Sequence, residues 1–196
     1  MNERPILFSD EMVRAILDGR KSQTRRVVKE PVSISQKMAG GIASHAPMVL
    51  HEGSWFKPEE WSPFGKAGDR LWVREAFSYT GFGNTVTNQV MYRADGDQAD
   101  RSPIWRPSIF MPRWASRITL EIVNVRMERV QMISYKDARA EGMPIDYSGD
   151  YSFDHTKMGG YQANFRRLWD SINAKRGFGW DENPWVWVID FKRVEE

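Results

Sequence analysis

Apolar side chains recur at helical spacing in two segments of the chain, which predicts two amphipathic helices. The first helix covers residues 9–19, where the apolar face carries Met12, Val13, Ile16 and Leu17. Ser9 is suited to cap its start and Gly19 to end it. The second covers residues 161–172, where the recurring apolar residues are Tyr161, Phe165, Leu168, Trp169 and Ile172.

Alternating apolar and polar residues predict the strands. The clearest strand runs from Ile118 to Met127, and a slip in its alternation indicates a bulge near Val123. Ser134 and Asp137 then resemble a capping box that opens a short helix ending at Gly142. Further strands are predicted near 24–28, at 70–77 after a turn at 65–69, at 89–93 and at 185–194.

Three segments without a clear period are predicted to be irregular loops: 31–65, 80–113 and 145–160. The order of the predicted elements favours an α+β fold, a small, mostly β barrel with helices at its rim. The sequence shows no βαβ alternation and no glycine-rich phosphate loop. Doubly wound nucleotide-binding folds are therefore disfavoured.

Composition narrows the class of protein. The chain has 196 residues, 41% of them hydrophobic and 28% charged, as expected of one globular domain. The sequence contains no apolar run long enough for a membrane span and no apolar signal core, so a cytoplasmic location is the simplest expectation. With no cysteine, disulfides and thiolate zinc sites are excluded. The three histidines lie far apart in sequence, and neither a metal nor a cofactor is predicted.

Charge and aromatic residues point to candidate binding surfaces. The net charge of +2 is too small to indicate a polyanionic partner, but the acid-free stretch 19–29 carries Arg20, Lys21, Arg25, Arg26 and Lys29. Such a cluster is either a phosphate-binding surface or a solvated basic face. Of nine tryptophans, Trp72, Trp185 and Trp187 fall in predicted strands. Four others in loop-like sequence are candidates for a ligand cleft: Trp55, Trp61, Trp105 and Trp180.

Several motifs, taken in order, resemble the ASCH domain family of the PUA-like superfamily. Residues 19–25, Gly-Arg-Lys-Ser-Gln-Thr-Arg, resemble its G-R-K-[ST]-x-T-x-R signature, and residues 68–73 resemble its G-D-x-L-x-V turn. The long strand, the short helix with Glu141 and the strand 187–191 follow in the matching order. The fuller sequence is similar to ASCH proteins carried by phages and prophages. The resemblance implies a single PUA-like barrel domain over 1–196 with insertions at about 31–64, 78–113 and 145–182.

The resemblance also implies chemistry. One bacterial branch consists of N4-acetylcytidine amidohydrolases, whose catalytic Lys, Thr and Glu match Lys21, Thr24 and Glu141 here. A threonine is a poor nucleophile without a base, and lysine acts as one only when neutral, against an ordinary pKa of about 10.4. The same residues also allow a non-catalytic interpretation. Lys21 then binds phosphate, Thr24 begins a strand, and Glu141 forms an ion pair.

The principal prediction is therefore binding of RNA or a modified nucleoside in a cleft lined by residues 19–26. Its predicted ligand-binding residues are Arg20, Arg25, Arg26, Arg74 and Glu75. The alternatives are an amidohydrolase using the three residues above and a phage accessory module that binds another protein through its insertions. A nuclease is also open as a version of the enzyme hypothesis, since some ASCH relatives are linked to RNA cleavage, but the sequence offers no obvious histidine pair for that chemistry. No membrane partner is expected, and the sequence indicates no particular oligomeric state.

Overall fold

The computed structural model describes residues 1–39, 42–79, 90–96, 104–144 and 160–194, with side chains omitted for 34–39 and 42–46. Strands dominate this α+β structure. They are β1 (Glu3–Leu7), β2 (Gln23–Val27), β3 (Val32–Ala39), β4 (Ile42–His51), β5 (Ser54–Phe56), β6 (Arg70–Arg74), β7 (Phe77–Tyr79), β8 (Val90–Tyr92), β9 (Thr119–Arg129) and β10 (Trp185–Val194). The helices are α1 (Asp10–Leu17), α2 (Tyr135–Ala140) and α3 (Gly160–Asn173). Over the described segments, no helix is long and apolar enough to cross a bilayer.

The central sheet has five strands in the order β1-β6-β9-β10-β2. β1 runs parallel to β6, and the other neighbouring strands are antiparallel. β1 and β2 are the edge strands, and no strand pairing joins them within the described residues. The predicted α+β class agrees with this sheet, whereas the closed barrel remains a prediction.

The prediction of an irregular loop over 31–65 was wrong. β3, β4 and β5 form an antiparallel sheet there. The glycines and prolines of this segment had indicated a loop. One of them, Pro47, lies inside β4 opposite Ile34. β5 pairs only with residues 49–51 of β4. On the side away from β3, Pro47 therefore has no partner in β5. Such an unpaired strand position tolerates a residue without an N–H group.

The strand predicted over 70–77 is interrupted. β6 ends at Arg74, and β7 begins at Phe77 and pairs with β8 instead. β8 (Val90–Tyr92) confirms the short strand predicted at 89–93, although Gln89 lies outside the described residues. Short 3-10 turns occupy 93–95, 108–110 and 113–115 of the segment predicted as loop. The loop predicted at 145–160 lies outside the described residues, apart from Gly160 at the start of α3.

The helix boundaries were predicted well because they depend on local chemistry. Ser9 caps α1 by accepting a hydrogen bond from the Met12 N–H at 3.5 Å. At the other end, the N–H groups of Gly19 and Arg20 donate to the carbonyls of Ile16 and Ala15, as in a Schellman motif. This motif requires a left-handed residue, and Gly19 has φ +72°. The chain leaves α1 at a fixed angle towards β2.

The predicted bulge near Val123 is confirmed. Phe191 of β10 faces Ile122 while Asp190 faces Asn124, so Val123 is the extra residue. The bulge keeps Val125 in the core and leaves Asn124 on the opposite face of β9. Polar residues therefore follow on that second face, next to α2.

β10 is buried on both faces, which explains its long apolar run. Trp187 and Ile189 belong to the main core beneath α1, whereas Val186 and Val188 pack with α3. Trp180, a candidate for the cleft, lies instead in the α3 core because it packs beside Phe165. Trp55 lies on β5, and Trp61 stacks on His51.

Candidate functional site

The segment 19–26 forms the helix-to-strand corner that was predicted. The turn after α1 brings Lys21 beside the end of α2, where it forms an isolated antiparallel bridge with Glu141. The Ser22 N–H donates to the Ala140 carbonyl at 2.9 Å and holds the corner to α2. β2 then begins at Gln23 as an edge strand.

Lys21 is buried and fully hydrogen-bonded. Its Nζ donates to Glu141 Oε2 at 2.7 Å, to the Gln23 carbonyl at 2.8 Å and to the Glu141 carbonyl at 2.9 Å. An ammonium group has three N–H donors, so these acceptors account for all of them. Burial lowers the pKa of Lys21, and the Glu141 carboxylate opposes that shift. The geometry matches a charged lysine that holds Glu141 in place.

Arg25 binds the other oxygen of the same carboxylate. Its Nη1 donates to Glu141 Oε1 at 3.2 Å and also to the Gln23 side chain. Its Nη2 forms ion pairs with Glu128 and Asp137. The side chain of Arg25 is completely buried, and three carboxylates surround it.

The network continues towards solvent through Arg126. Its guanidinium contacts Asp190 at 2.8 Å, Asp137 at 3.2 Å and Glu128 at 3.4 Å. Burial raises the pKa of Asp137, but hydrogen bonds from Gln23 and Ser134 and the nearby arginines outweigh it, and the net shift is downward. The network joins β2, β9, β10 and α2, and its three cations are interleaved with four carboxylates. Among the described residues, no group of three or more acidic or histidine side chains is arranged to hold a metal ion.

A cavity of about 320 Å³ lies along the free edge of β2. Neighbouring strand residues point to opposite faces, so Thr24 and Arg25 reach the cavity from the two sides of the strand. Glu141 also lines it, whereas Lys21 does not. The walls are mainly apolar and come from β1, α1, α3 and the segment before β6: Pro5, Ile6, Leu7, Met12, Phe64, Phe165, Leu168, Trp169 and Ile172. We call this cavity the seam cleft, because it lies between the two edge strands of the central sheet.

Arg26 bridges the seam cleft. Its Nη2 donates to the Leu7 carbonyl of β1 at 2.6 Å, and its guanidinium carbon lies 5.0 Å from the centroid of the Phe8 ring. The buried Nε atoms of Arg25 and Arg26 have no hydrogen-bond partner in the described structure. The Thr24 hydroxyl likewise has no partner among the described residues. The lining also includes four charged or polar residues: Lys29, Glu141, Asn173 and Arg176.

Arg20 lies at a neighbouring cavity. That cavity has a volume of about 600 Å³ and shares Met12, Glu141 and Leu168 with the seam cleft. Arg20 pairs with Asp18 and donates to the Gly142 carbonyl at 3.2 Å. It therefore lies on the same side of the molecule as the seam cleft without lining it.

Arg74 and Glu75 do not join this site. Arg74 lies over the Trp72 ring at 4.7 Å, and Glu75 is buried in a two-pronged ion pair with Arg117, both contacts 3.0 Å long. Arg117 also binds Asp95. Burial raises the pKa of Glu75, against the lowering effect of Arg117. The prediction that Arg74 and Glu75 belong to the same cleft as residues 19–26 finds no support in these contacts.

Other residues of the site were not predicted. The polar alternation of Arg126 and Glu128 after the bulge, and the single acid Asp190 within an apolar strand, were the available signals. The α3 wall was missed because its segment was treated as part of an insertion. No sequence signal indicated that Phe165 and Trp169 would face β2.

Comparisons with known proteins leave the family open. No protein-family model and no curated protein matches the chain. A DUF984 protein from Enterococcus faecalis V583 superposes with a TM-score of 0.44 at 11% identity, covering 99% of this chain and 81% of that one. An ASCH domain from Lactobacillus crispatus JV V101 gives a TM-score of 0.42 at 14% identity, covering 100% and 81%. Both scores lie below 0.5, so neither likeness assigns this chain to a family or an activity.

Proposed function

We propose that this chain is an ASCH-type protein of the phage and prophage kind that binds RNA or a modified nucleoside in the seam cleft. The observation that carries the proposal is the unpartnered Thr24 hydroxyl in a mainly apolar cavity whose lining also includes the cations Arg26, Lys29 and Arg176. A few polar groups within apolar walls are typical of small-molecule sites. The volume of about 320 Å³ lies at the lower end of the usual range, roughly 300–1,000 Å³.

The chemistry of the cleft suits a nucleotide. The aromatic rings of Phe165 and Trp169 offer apolar surface to the face of a base. The Thr24 hydroxyl can donate to the carbonyl oxygens and ring nitrogens of a base edge, which are acceptors. The exposed Lys29 and the side chain of Arg176 supply positive charge for phosphate. We also propose that the fold is a PUA-like barrel in which this cleft occupies the gap between the edge strands β1 and β2.

Binding assays test the proposal directly. A panel of RNA oligonucleotides, nucleosides and mononucleotides is titrated at low and moderate salt. We expect Arg26→Gln to weaken binding about 10-fold or more, since hydrogen bonds to charged groups contribute roughly 1.5–3 kcal/mol. Lys192→Gln is the control, because Lys192 is an exposed cation already paired with Glu121 at 3.0 Å. Absence of binding to the whole panel at low salt would refute the proposal.

A second candidate function, removal of an acyl group from an N4-acetylcytidine-like nucleoside, has its own supporting observation. Thr24 and Glu141 line the same cavity, and Lys21 is bonded to Glu141. In the proposed reaction the Thr24 Oγ attacks the acyl carbon and its proton passes to a base. The C–N bond then breaks, the amine leaves with a proton, and water releases the acyl group from Thr24 as the acid. Lys21 must first lose one of its three engaged protons to act as that base.

Product analysis separates this candidate from simple binding. The protein is incubated with N4-acetylcytidine, and cytidine and acetate are measured by chromatography. Thr24→Ala should abolish turnover, while Thr24→Ser retains a hydroxyl and should keep part of it. Turnover that is equal in Thr24→Ala and the parent chain contradicts the nucleophile. Binding without any turnover leaves the first function standing alone.

A further inference from the structure

A second cluster, of two aromatic rings and one arginine, lies away from the seam cleft. Trp114 is 60% exposed, yet it stacks on Tyr79 with ring centroids 5.6 Å apart and planes inclined by 17°. The guanidinium carbon of Arg106 lies over the same Tyr79 ring, 5.0 Å from its centroid. We call Tyr79, Arg106 and Trp114 the stacked platform.

The platform is built on a rigid support. Phe77 and Arg106 exchange two backbone hydrogen bonds of 3.2 and 2.8 Å, which fix Arg106 beside β7. Phe77 also forms a small buried core with Met111 and Ala115 directly beneath the turn that carries Trp114. The Tyr92 hydroxyl donates to the Ala115 carbonyl at 2.9 Å and anchors that turn. The exposed rings therefore stand on packed structure.

The charge on the platform is available to a ligand. Arg106 forms no ion pair within the described part of the chain, whereas the neighbouring Arg117 is neutralised by Glu75 and Asp95. Arg106 also lines a separate cavity of about 280 Å³ together with Trp105 and Ser108. The same lining includes Asp10, which is paired with Arg93. Arg106, beside the exposed Trp114 ring, therefore offers both charge and stacking surface.

We propose that the stacked platform binds single-stranded nucleic acid, with a base on the open face of Trp114 and a phosphate at Arg106. Aromatic rings combined with a cationic groove are the usual means of holding single strands without reading their sequence. The inference rests on the proposed function and extends it. A ligand that reaches both the platform and the seam cleft is a polynucleotide and not a free nucleoside.

A protein partner is the competing occupant. Three more apolar side chains in the same segment are exposed: Ile104, Ile109 and Phe110. The uncommitted guanidinium of Arg106 next to stacked rings favours a phosphate-bearing ligand over an apolar protein surface. The experiment distinguishes the two.

Anisotropy of fluorescein-labelled 12-mers of oligouridylate and oligodeoxythymidylate measures binding at the platform, and calorimetry with uridine 5′-monophosphate measures binding at the seam cleft. Trp114→Ala should weaken 12-mer binding roughly 5- to 150-fold, as expected for one lost base stack. Trp114→Phe should restore much of it. Arg106→Gln should lower the salt dependence by about one phosphate contact. Trp55→Ala is the matched control, an exposed tryptophan on β5 that is remote in sequence from the platform.

The outcomes separate the platform from the cleft. If Trp114→Ala weakens binding of either 12-mer but not of the mononucleotide, the platform is supported, and the RNA and DNA arms show whether the sugar matters. Equal 12-mer affinity in Trp114→Ala and the parent chain overturns it. A change in sedimentation of Trp114→Ala without any change in 12-mer affinity overturns it in favour of a protein interface. If the mononucleotide binds and neither 12-mer does, only the platform fails; if nothing binds, both proposals fail.

Discussion

The buried ion pair between Lys21 and Glu141 can be compared with an exposed pair of the same length. Lys21 and Glu141 are 2.7 Å apart with side chains 0% and 4% exposed, and Arg20 and Asp18 are 2.8 Å apart with side chains 51% and 56% exposed. Distance is thus nearly constant while burial differs. Removing one partner of a buried pair costs about 3–5 kcal/mol, because the other charge stays buried. An exposed pair contributes about 1 kcal/mol or less.

We therefore expect Lys21→Met and Glu141→Gln each to lower the free energy of unfolding by about 3–5 kcal/mol. In the double variant no lysine charge remains without its carboxylate. The free energy of unfolding that the double variant loses should be smaller than the sum of the two single losses by about 1–3 kcal/mol. The corresponding cycle for Arg20→Gln and Asp18→Asn should show a coupling below about 1 kcal/mol.

Urea unfolding followed by tryptophan fluorescence measures both cycles, since the chain carries nine tryptophans. The slope of unfolding free energy against urea must stay constant across the variants for the comparison to hold. Equal coupling energies in the buried and exposed pairs would refute the reasoning, because burial would then contribute nothing. Such a result would also remove the assigned role of Lys21 in holding Glu141.

Two further predictions concern stability. Gly142→Ala should lower the free energy of unfolding more than Gly19→Ala in the same urea assay. Both glycines have positive φ, but an added Cβ at Gly142 meets Ala15 and Lys21 at 3.0 Å, whereas one at Gly19 meets open space. For Gly19→Ala we expect a loss of about 1 kcal/mol. Backbone N–H hydrogen bonds hold the pKa of Asp69 below its ordinary value of 3.8, so its stabilising contribution is present above pH 3.8 and is lost as the pH falls through the folded-state pKa. In Asp69→Asn, the midpoint of thermal unfolding should depend less on pH in that acid range. An unchanged dependence of the midpoint on pH would contradict the assignment.

Local chemistry made much of the fold predictable. The capped ends of α1 and α2, the bulge at Val123 and the bounds of β10 follow from short-range rules on caps, alternation and β-prone runs. The sheet at 32–56 was missed because Pro47 lies within β4, glycines separate the strands in the sequence, and the segment as a whole shows no clear period. Strand pairing depends on distant residues, which short-range periodicity does not encode.

The candidate site was only partly predictable for the same reason. The motif match placed Lys21 beside Glu141, and the structure brings these two together at 2.7 Å. Arg74 and Glu75 were predicted to join the cleft from their position at the end of a strand, but those side chains have other partners. The catalytic and binding roles of these residues stay predictions. Contacts from β9 and α3 could not be predicted from local patterns, because Glu128 lies 103 residues from Arg25 and the α3 residues of the cavity lie farther still.

The position of β2 has a consequence for how the protein acquires its binding site. Among the described strands β2 pairs only with β10, so residues 23–27 gain this sheet partner only after residues 186–190 have been made. Contacts that close such long loops slow folding. During synthesis the N-terminal corner leaves the ribosome long before its partner strand, with Lys21 and Arg25 still hydrated. The seam cleft is therefore expected among the last features to form, and the nascent chain is exposed to premature association through this unpaired edge until β10 docks.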